Sequence, residues 1–138
     1  MVMEHGGTIE ELSREECWAR LGTQRLGRLG VVVEGVPLVL PMQFALDGDT
    51  VVLQTNTGAK TFHVPLSAVS FEVDHVDWDE GVGWSVLIQG VGEDFSTAID
   101  ERSETLRTLA VHSWAPAPAD RWLKIIPQKI TGRLLRAG

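Results

Sequence analysis

The chain has very little of what disulfide-bonded, membrane-spanning and nucleic-acid-binding proteins are built from. Among its 138 residues Cys17 is the only cysteine, which excludes a disulfide framework and a multi-cysteine zinc site within the chain. Cys17 stands in Cys17-Trp18-Ala19, inside an expected helix, where a thiol packs as a small buried hydrophobe. No apolar run approaches the roughly 20 residues that a membrane helix needs. Lysine and arginine total 12 against 19 aspartates and glutamates, for a formal charge of −7 and no basic run. Nucleic acid and anionic membrane are therefore not expected partners, because both are bound by clustered cations that displace counterions. Met1 to Glu11 carries Glu4, Glu10 and Glu11 and lacks a basic n-region and an apolar h-region. It reads as an N-terminal tail over 1–11 and not as a signal peptide, with the cytoplasm as the expected location. Repeats and low-complexity tracts are absent. Ser85 lies in Gly-Trp-Ser-Val-Leu, not in the Gly-x-Ser-x-Gly of a nucleophile elbow.

What is present is an ordinary globular composition, with 43% apolar and 22% charged residues, enough for one domain over 12–138. Ser13-Arg14-Glu15-Glu16 is a capping box, with Leu12 and Cys17 at staple spacing, so a helix is expected from about Arg14 to Leu21, stopped by Gly22. Arg25 to Val33 and Val36 to Phe44 read as strands joined through Glu34-Gly35 into a hairpin. Pro37 and Pro41 withhold two ladder donors, which points to a sheet edge or a bulge near Pro41. After the turn Asp47-Gly48-Asp49, Thr50 to Thr55 is the third strand, and a short helix is expected near 59–64 before Pro65. Ser67 to Val73 is a fourth strand, Asp74 to Gly83 an acidic loop, and Trp84 to Phe95 a long strand bent or bulged at Gly90 and Gly92. A helix capped near Thr97 to Asp100 runs to about His112. A proline-rich loop then leads to a last strand, Trp122 to Leu135, interrupted at Pro127. Short antiparallel strands with few helices indicate a mainly β fold, a small barrel.

The stretch Thr55-Asn56-Thr57-Gly58-Ala59-Lys60 follows a strand and precedes the expected short helix. Its chemistry suits a phosphate monoester. Thr55 and Thr57 offer hydroxyl donors, Gly58 a close backbone approach and Lys60 a point charge, and a helix start would add free N–H groups. Taken alone, it also reads as a polar turn. Asp74-His75-Val76-Asp77-Trp78-Asp79-Glu80 fits no metal-ligand spacing and is read as a solvated acidic loop. His63, one helical turn beyond Lys60, is read as a surface or half-buried structural residue. Trp18 and Trp84 are assigned to core or interface, and Trp114 and Trp122 either cover a ligand or pack the last strand.

Six motifs in order resemble the pyridoxamine 5′-phosphate oxidase-like flavin-binding proteins. They are Gly27-Arg28-Leu29-Gly30, Val39-Leu40-Pro41-Met42-Gln43-Phe44, Thr55 to Lys60, Phe71-Glu72-Val73-Asp74, Gly83-Trp84-Ser85-Val86 with Gly90-Val91-Gly92-Glu93, and Ile130-Thr131-Gly132-Arg133. The resemblance spans Leu12 to Arg133 and is closest to the short bacterial branch that includes nitroimidazole-resistance-type proteins. It implies a split β-barrel that forms a homodimer and holds FMN between the subunits. On that basis Thr55, Thr57 and Lys60 hold the FMN phosphate, and Pro41, Met42, Gln43 and Phe44 lie along the isoalloxazine ring. Gln43 stands where family members often carry Asn. Ser85 lies beside the ribityl or phosphate group, and Arg133 or Trp122 of a second subunit closes the site. The implied activity is flavin-dependent oxidation or reduction of a small molecule. A flavin carrier or sensor without turnover is the alternative. The C-terminal segment Trp122 to Arg136 lacks the Arg-x-His-type pattern of true pyridoxamine phosphate oxidases, so that activity is not expected. Some relatives use the deazaflavin F420, whose longer tail needs a more basic groove. The few cations near Lys60 favour FMN.

Overall fold

A computed structural model describes residues 6–55, 66–109, 111 and 121–138. The elements are β1 (Thr8–Glu11), α1 (Arg14–Leu21), β2 (Leu26–Val33), β3 (Val36–Asp47), β4 (Thr50–Thr55), β5 (Leu66–Asp77), β6 (Val82–Asp94), α2 (Glu101–Leu106) and β7 (Arg121–Arg136). All strand pairs are antiparallel. The sheet runs β1-β7-β4-β3-β2-β5-β6, and β6 pairs back onto β7, so strands β2 to β7 close into a barrel with β1 attached outside. This is the split β-barrel fold that the short, closely spaced strands indicate.

Alternation along each strand sets inside and outside. On β2 Leu29 and Val31 point in, on β5 Phe71 and Val73, on β6 Trp84, Val86 and Ile88, and on β7 Leu123 and Ile125. Phe44 packs edge-on against Phe71 with ring centroids 5.2 Å apart. Gly27 exists beside them because a Cβ there would run into the Phe71 ring. A smaller cluster of Val52, Phe95, Leu106 and Val111, with Trp122 and Ala45 against it, forms outside β4 and is covered by α2.

Local chemistry explains the boundaries. The Ser13 hydroxyl accepts from the Glu16 N–H at 3.2 Å and the Glu16 carboxylate accepts from the Ser13 N–H at 3.4 Å, completing the capping box. Glu34 and Gly35 both take positive φ, 52° and 78°, the signature of a type I′ two-residue turn. Gly90 carries the expected irregularity: the register with β7 shifts between Gln89 and Gly90, and a Cβ on Gly90 would run into the Ile126 carbonyl. β7 passes Pro127 opposite that bulge without breaking.

Four expectations are corrected. Asp74 to Gly83 is not a loop: β5 continues to Asp77 and β6 starts at Val82, pairing His75 with Trp84 and Asp77 with Val82. Cross-strand pairing outweighs the weak strand propensity of these acidic residues, and the turn is only 78–81. Thr8–Glu11 is a strand on β7, with Thr8 opposite Arg136 and Glu11 opposite Arg133. β3 extends past Phe44 to Asp47, because Phe44 to Asp47 find a second partner in β4. α2 covers only Glu101–Leu106, capped by the Asp100 carboxylate. The helix expected near 59–64 lies outside the described residues.

Candidate functional site

The barrel splits at Phe44. β3 pairs with β4 only from Phe44↔Leu53 to Asp47↔Thr50. From Gln43 back to Val36, β3 runs beside β2. From Gln54 to Thr55, β4 runs beside β7, opposite Trp122 and Arg121. A fork therefore opens between Met42 and Gln43 on one arm and Gln54 and Thr55 on the other.

The two prolines explain the free arm. The Phe44 N–H donates to the Arg25 carbonyl at 3.0 Å, so even-numbered residues of β3 direct their main-chain groups to β2. Pro37, Val39 and Pro41 direct theirs away. Proline at two of these positions removes donors that would invite another strand, while the Pro41 carbonyl and the Val39 N–H and carbonyl still face outward.

The barrel's outer face continues from that arm. Pro41 stands opposite Arg28, Arg28 opposite Glu72, Glu72 opposite Leu87 and Leu87 opposite Thr131. One step along the strands, Asp74 stands opposite Ser85, Ser85 opposite Arg133 and Arg133 opposite Glu11. With strands about 4.8 Å apart, Pro41 and Ser85 are separated by roughly three strand spacings. Arg28 occupies the ground between them. Its Nη1 donates to Glu72 Oε1 at 3.0 Å and to Asp74 Oδ2 at 3.2 Å. Burial, and then the hydrogen bond and charge of Asp74, push the Glu72 carboxyl up to about 7, against the opposing pull of Arg28. Apolar side chains adjoin the group: Leu26 is exposed and Leu87 partly so, and farther along the same arms Val32 is 68% and Val39 70% exposed.

The expected site residues fall into three groups. Pro41, Gln43, Thr55 and the backbone of Met42, whose side chain packs on the core, line the fork, and Trp122 stands behind it with its backbone N–H donating to the Ser96 hydroxyl at 2.7 Å and its ring against Phe95. The Phe44 side chain is buried in the core, so only its backbone borders the fork. Ser85 and Arg133 are neighbours on the outer face, across the Arg28 cluster from Pro41. Thr57 and Lys60 lie outside the described residues, on the segment that leaves β4 at the fork. Nearby, burial would raise the Asp94 carboxyl, but hydrogen bonds from the Ser96 hydroxyl and N–H and the paired Arg121 guanidinium hold it below the usual range. Among the described residues a cavity of about 370 Å³ lies elsewhere, between α1 and Trp84, lined by Glu16, Ala19, Arg20 and Thr23. No His, Cys, Asp and Glu grouping among them could hold a metal, and no described helix is long and apolar enough to cross a membrane.

Arg28, Glu72 and Asp74 are site residues that no local sequence motif marks. The signal was there: each is a charged residue alternating with core residues, in Gly27-Arg28-Leu29 and Phe71-Glu72-Val73-Asp74. The pairing that joins them is non-local.

The donor set suits a flavin. Exposed Val39 and Pro41 offer apolar area to the plane of a tricyclic ring, their outward main-chain groups match its polar rim, and Thr55 offers a hydroxyl to phosphate. Three solved structures are similar over nearly the whole chain. A Corynebacterium glutamicum protein provisionally named a pyridoxamine 5′-phosphate oxidase is 28% identical, with TM-score 0.81 over 94% of this chain and 95% of its own. An FAD-binding protein of Mycobacterium smegmatis is 29% identical, with TM-score 0.74 over 91% and 97%. An FAD-binding protein of Mesorhizobium loti is 26% identical, with TM-score 0.77 over 94% and 98%. The sequence pattern of the pyridoxamine 5′-phosphate oxidase family matches residues 13–134, and the chain belongs to that family.

Proposed function

We propose that this chain is a homodimeric flavin-binding protein that takes FMN at the β3–β4 fork and acts as an oxidoreductase on a small molecule. The observation that carries the reading is the fork itself, where Pro41 to Phe44 and Thr55 part and the free arm of β3 turns main-chain groups outward. Flavin binding by two proteins of the same fold and nearly the same length supports it. When bound, the flavin supplies hydride or single-electron transfer. The chain's own part is to hold the ring plane against Pro41, Met42 and Gln43 and to anchor the phosphate through Thr55, Thr57 and Lys60. A second copy covers the exposed Val32 and Val39 and brings Trp122 or Arg133 to the site. Its apolar outer face is of the kind that monomers seldom leave open. Oxidation of pyridoxamine phosphate is not part of the proposal. It needs a second phosphate grip beside the flavin, and β7 offers Lys124, Lys129, Arg133 and Arg136 without the Arg-x-His-type pattern.

The test is to purify the protein, release any bound chromophore by denaturation and identify it by mass and absorbance. Apo-protein is then titrated with FMN, FAD, riboflavin and F420. Tight FMN binding supports the reading, preference for FAD or F420 replaces the cofactor, and no binding of any of the four overturns it. Anaerobic addition of NADH or NADPH to the loaded protein separates an enzyme, which bleaches, from a carrier or sensor, which does not.

A further inference from the structure

Arg28, Glu72 and Asp74 form a charged group on the outer face to which neither the fold nor the cofactor contacts assign a role. One guanidinium nitrogen serves two carboxylates, at 3.0 and 3.2 Å, which leaves one excess negative charge in the group. The described elements around it bring no other titratable side chain against it. β3 contributes Pro41 opposite Arg28, and β6 contributes Leu87 opposite Glu72 and Ser85 opposite Asp74. The next charges are Arg133, across from Ser85, and Glu11 beyond it. Arg28 stands directly opposite Pro41, so a ring resting on Pro41 with its tail towards Thr55 reaches onto the group from the β3 side. Side-chain exposures of 32% for Glu72 and 38% for Asp74 are what such a ring would remove.

We propose that Glu72 and Asp74 form a proton-sharing pair that takes up a proton from solvent when a flavin ring covers this face, so that ring binding is proton-linked. The inference rests on the flavin site proposed above. Its physics is that of two carboxyls side by side. They resist joint ionisation, and loss of water penalises the doubly charged form further. The proton ends on the carboxyl pair, and no bond in the ligand changes. The rise of the Glu72 carboxyl to about 7 puts the effect in the neutral range.

Riboflavin is the probe, because it lacks the phosphate, whose own second ionisation near pH 6 would overlay the signal. Its Kd, read by fluorescence titration between pH 6 and 8.5, should rise with pH above 7, by at most about tenfold per unit. Glu72→Gln, a neutral isostere of the protonated acid, should flatten that profile. Calorimetry of the wild-type chain at pH 7.5 in two buffers of different ionisation enthalpy reads proton uptake directly and needs no variant. A flat wild-type profile without proton uptake overturns the proposal and leaves the flavin site standing, as does a slope that survives Glu72→Gln. Failure of riboflavin and FMN to bind at any pH overturns both.

Discussion

Gly132 lies where β7 passes under α1, and adding one methyl there should be felt across the molecule. A Cβ at this position would stand 2.6 Å from the Cys17 sulfur, 3.2 Å from the Leu12 methyl and 3.2 Å from the Ser85 carbonyl oxygen. Cys17 is fully buried, so it has no solvent into which to retreat. Overpacking of this kind costs about 1–3 kcal/mol. Replacing glycine also restricts the unfolded chain, a gain of roughly 0.4–1 kcal/mol, which is too small to win. Gly132→Ala should therefore lower the urea midpoint and reduce Tm by several degrees, at about 4 °C per kcal/mol for a chain of this size. Cys17→Ala removes the sulfur in the way and alone costs on the order of 1 kcal/mol for the space it leaves. The double variant should be less destabilised than the sum, by about 1 kcal/mol. Rescue stays partial because the Ser85 carbonyl does not move. Equilibrium urea unfolding of all four proteins gives the cycle. Additivity within about 0.5 kcal/mol, the behaviour of independent sites, would show that α1 does not seat on β7 through this contact.

Three further outcomes are expected. Because the Glu72 carboxyl is raised to about 7, the folded chain holds a proton that the unfolded chain has lost. That contribution to stability is full below the ordinary carboxylate range and fades as pH rises to about 7, a slope that Glu72→Gln should remove from urea midpoints measured between pH 4.5 and 8. Asp94 behaves oppositely. Its lowered carboxyl stabilises the fold above the usual carboxylate pKa and loses that effect as pH falls, so Asp94→Asn should flatten the acid limb of thermal melts, and an unaltered limb would dismiss the Ser96 and Arg121 contacts. Lys60→Ala should weaken FMN by about one to two powers of ten and leave riboflavin nearly untouched in parallel titrations; equal loss for both would move the phosphate elsewhere.

What could be read from the sequence was governed by the range of each interaction. The Ser13–Glu16 box and the Glu34-Gly35 turn are decided within a few residues, and α1 and the first hairpin follow from them. The Gly90 bulge was visible because two closely spaced glycines interrupt an alternating strand. The 74–83 hairpin was hidden because Asp74, Asp77, Asp79 and Glu80 look like loop chemistry, while Asp74 and Asp77 are held by pairing with β6 and only 78–81 is a turn. β1 is four residues, two of them glutamates, paired with β7 over a hundred residues away. The motifs Pro41 to Phe44 and Thr55 to Lys60 could be picked out, but not that β3 and β4 diverge between them. That fork depends on which strand each arm chooses after Phe44↔Leu53. The Arg28 cluster went unnoticed for the same reason: its hydrogen bonds span 44 and 46 positions of sequence.

Whether a flavin sits at this fork is read residue by residue from amide chemical shifts of the protein during titration with FMN. The amides of Val39, Met42, Gln43, Phe44 and Thr55 should shift together with saturating FMN, along with Ser85, while those of the distant 78–81 turn stay in place. Tight binding with shifts confined to the α1–Trp84 cavity, and none along Val39 to Phe44, would contradict it.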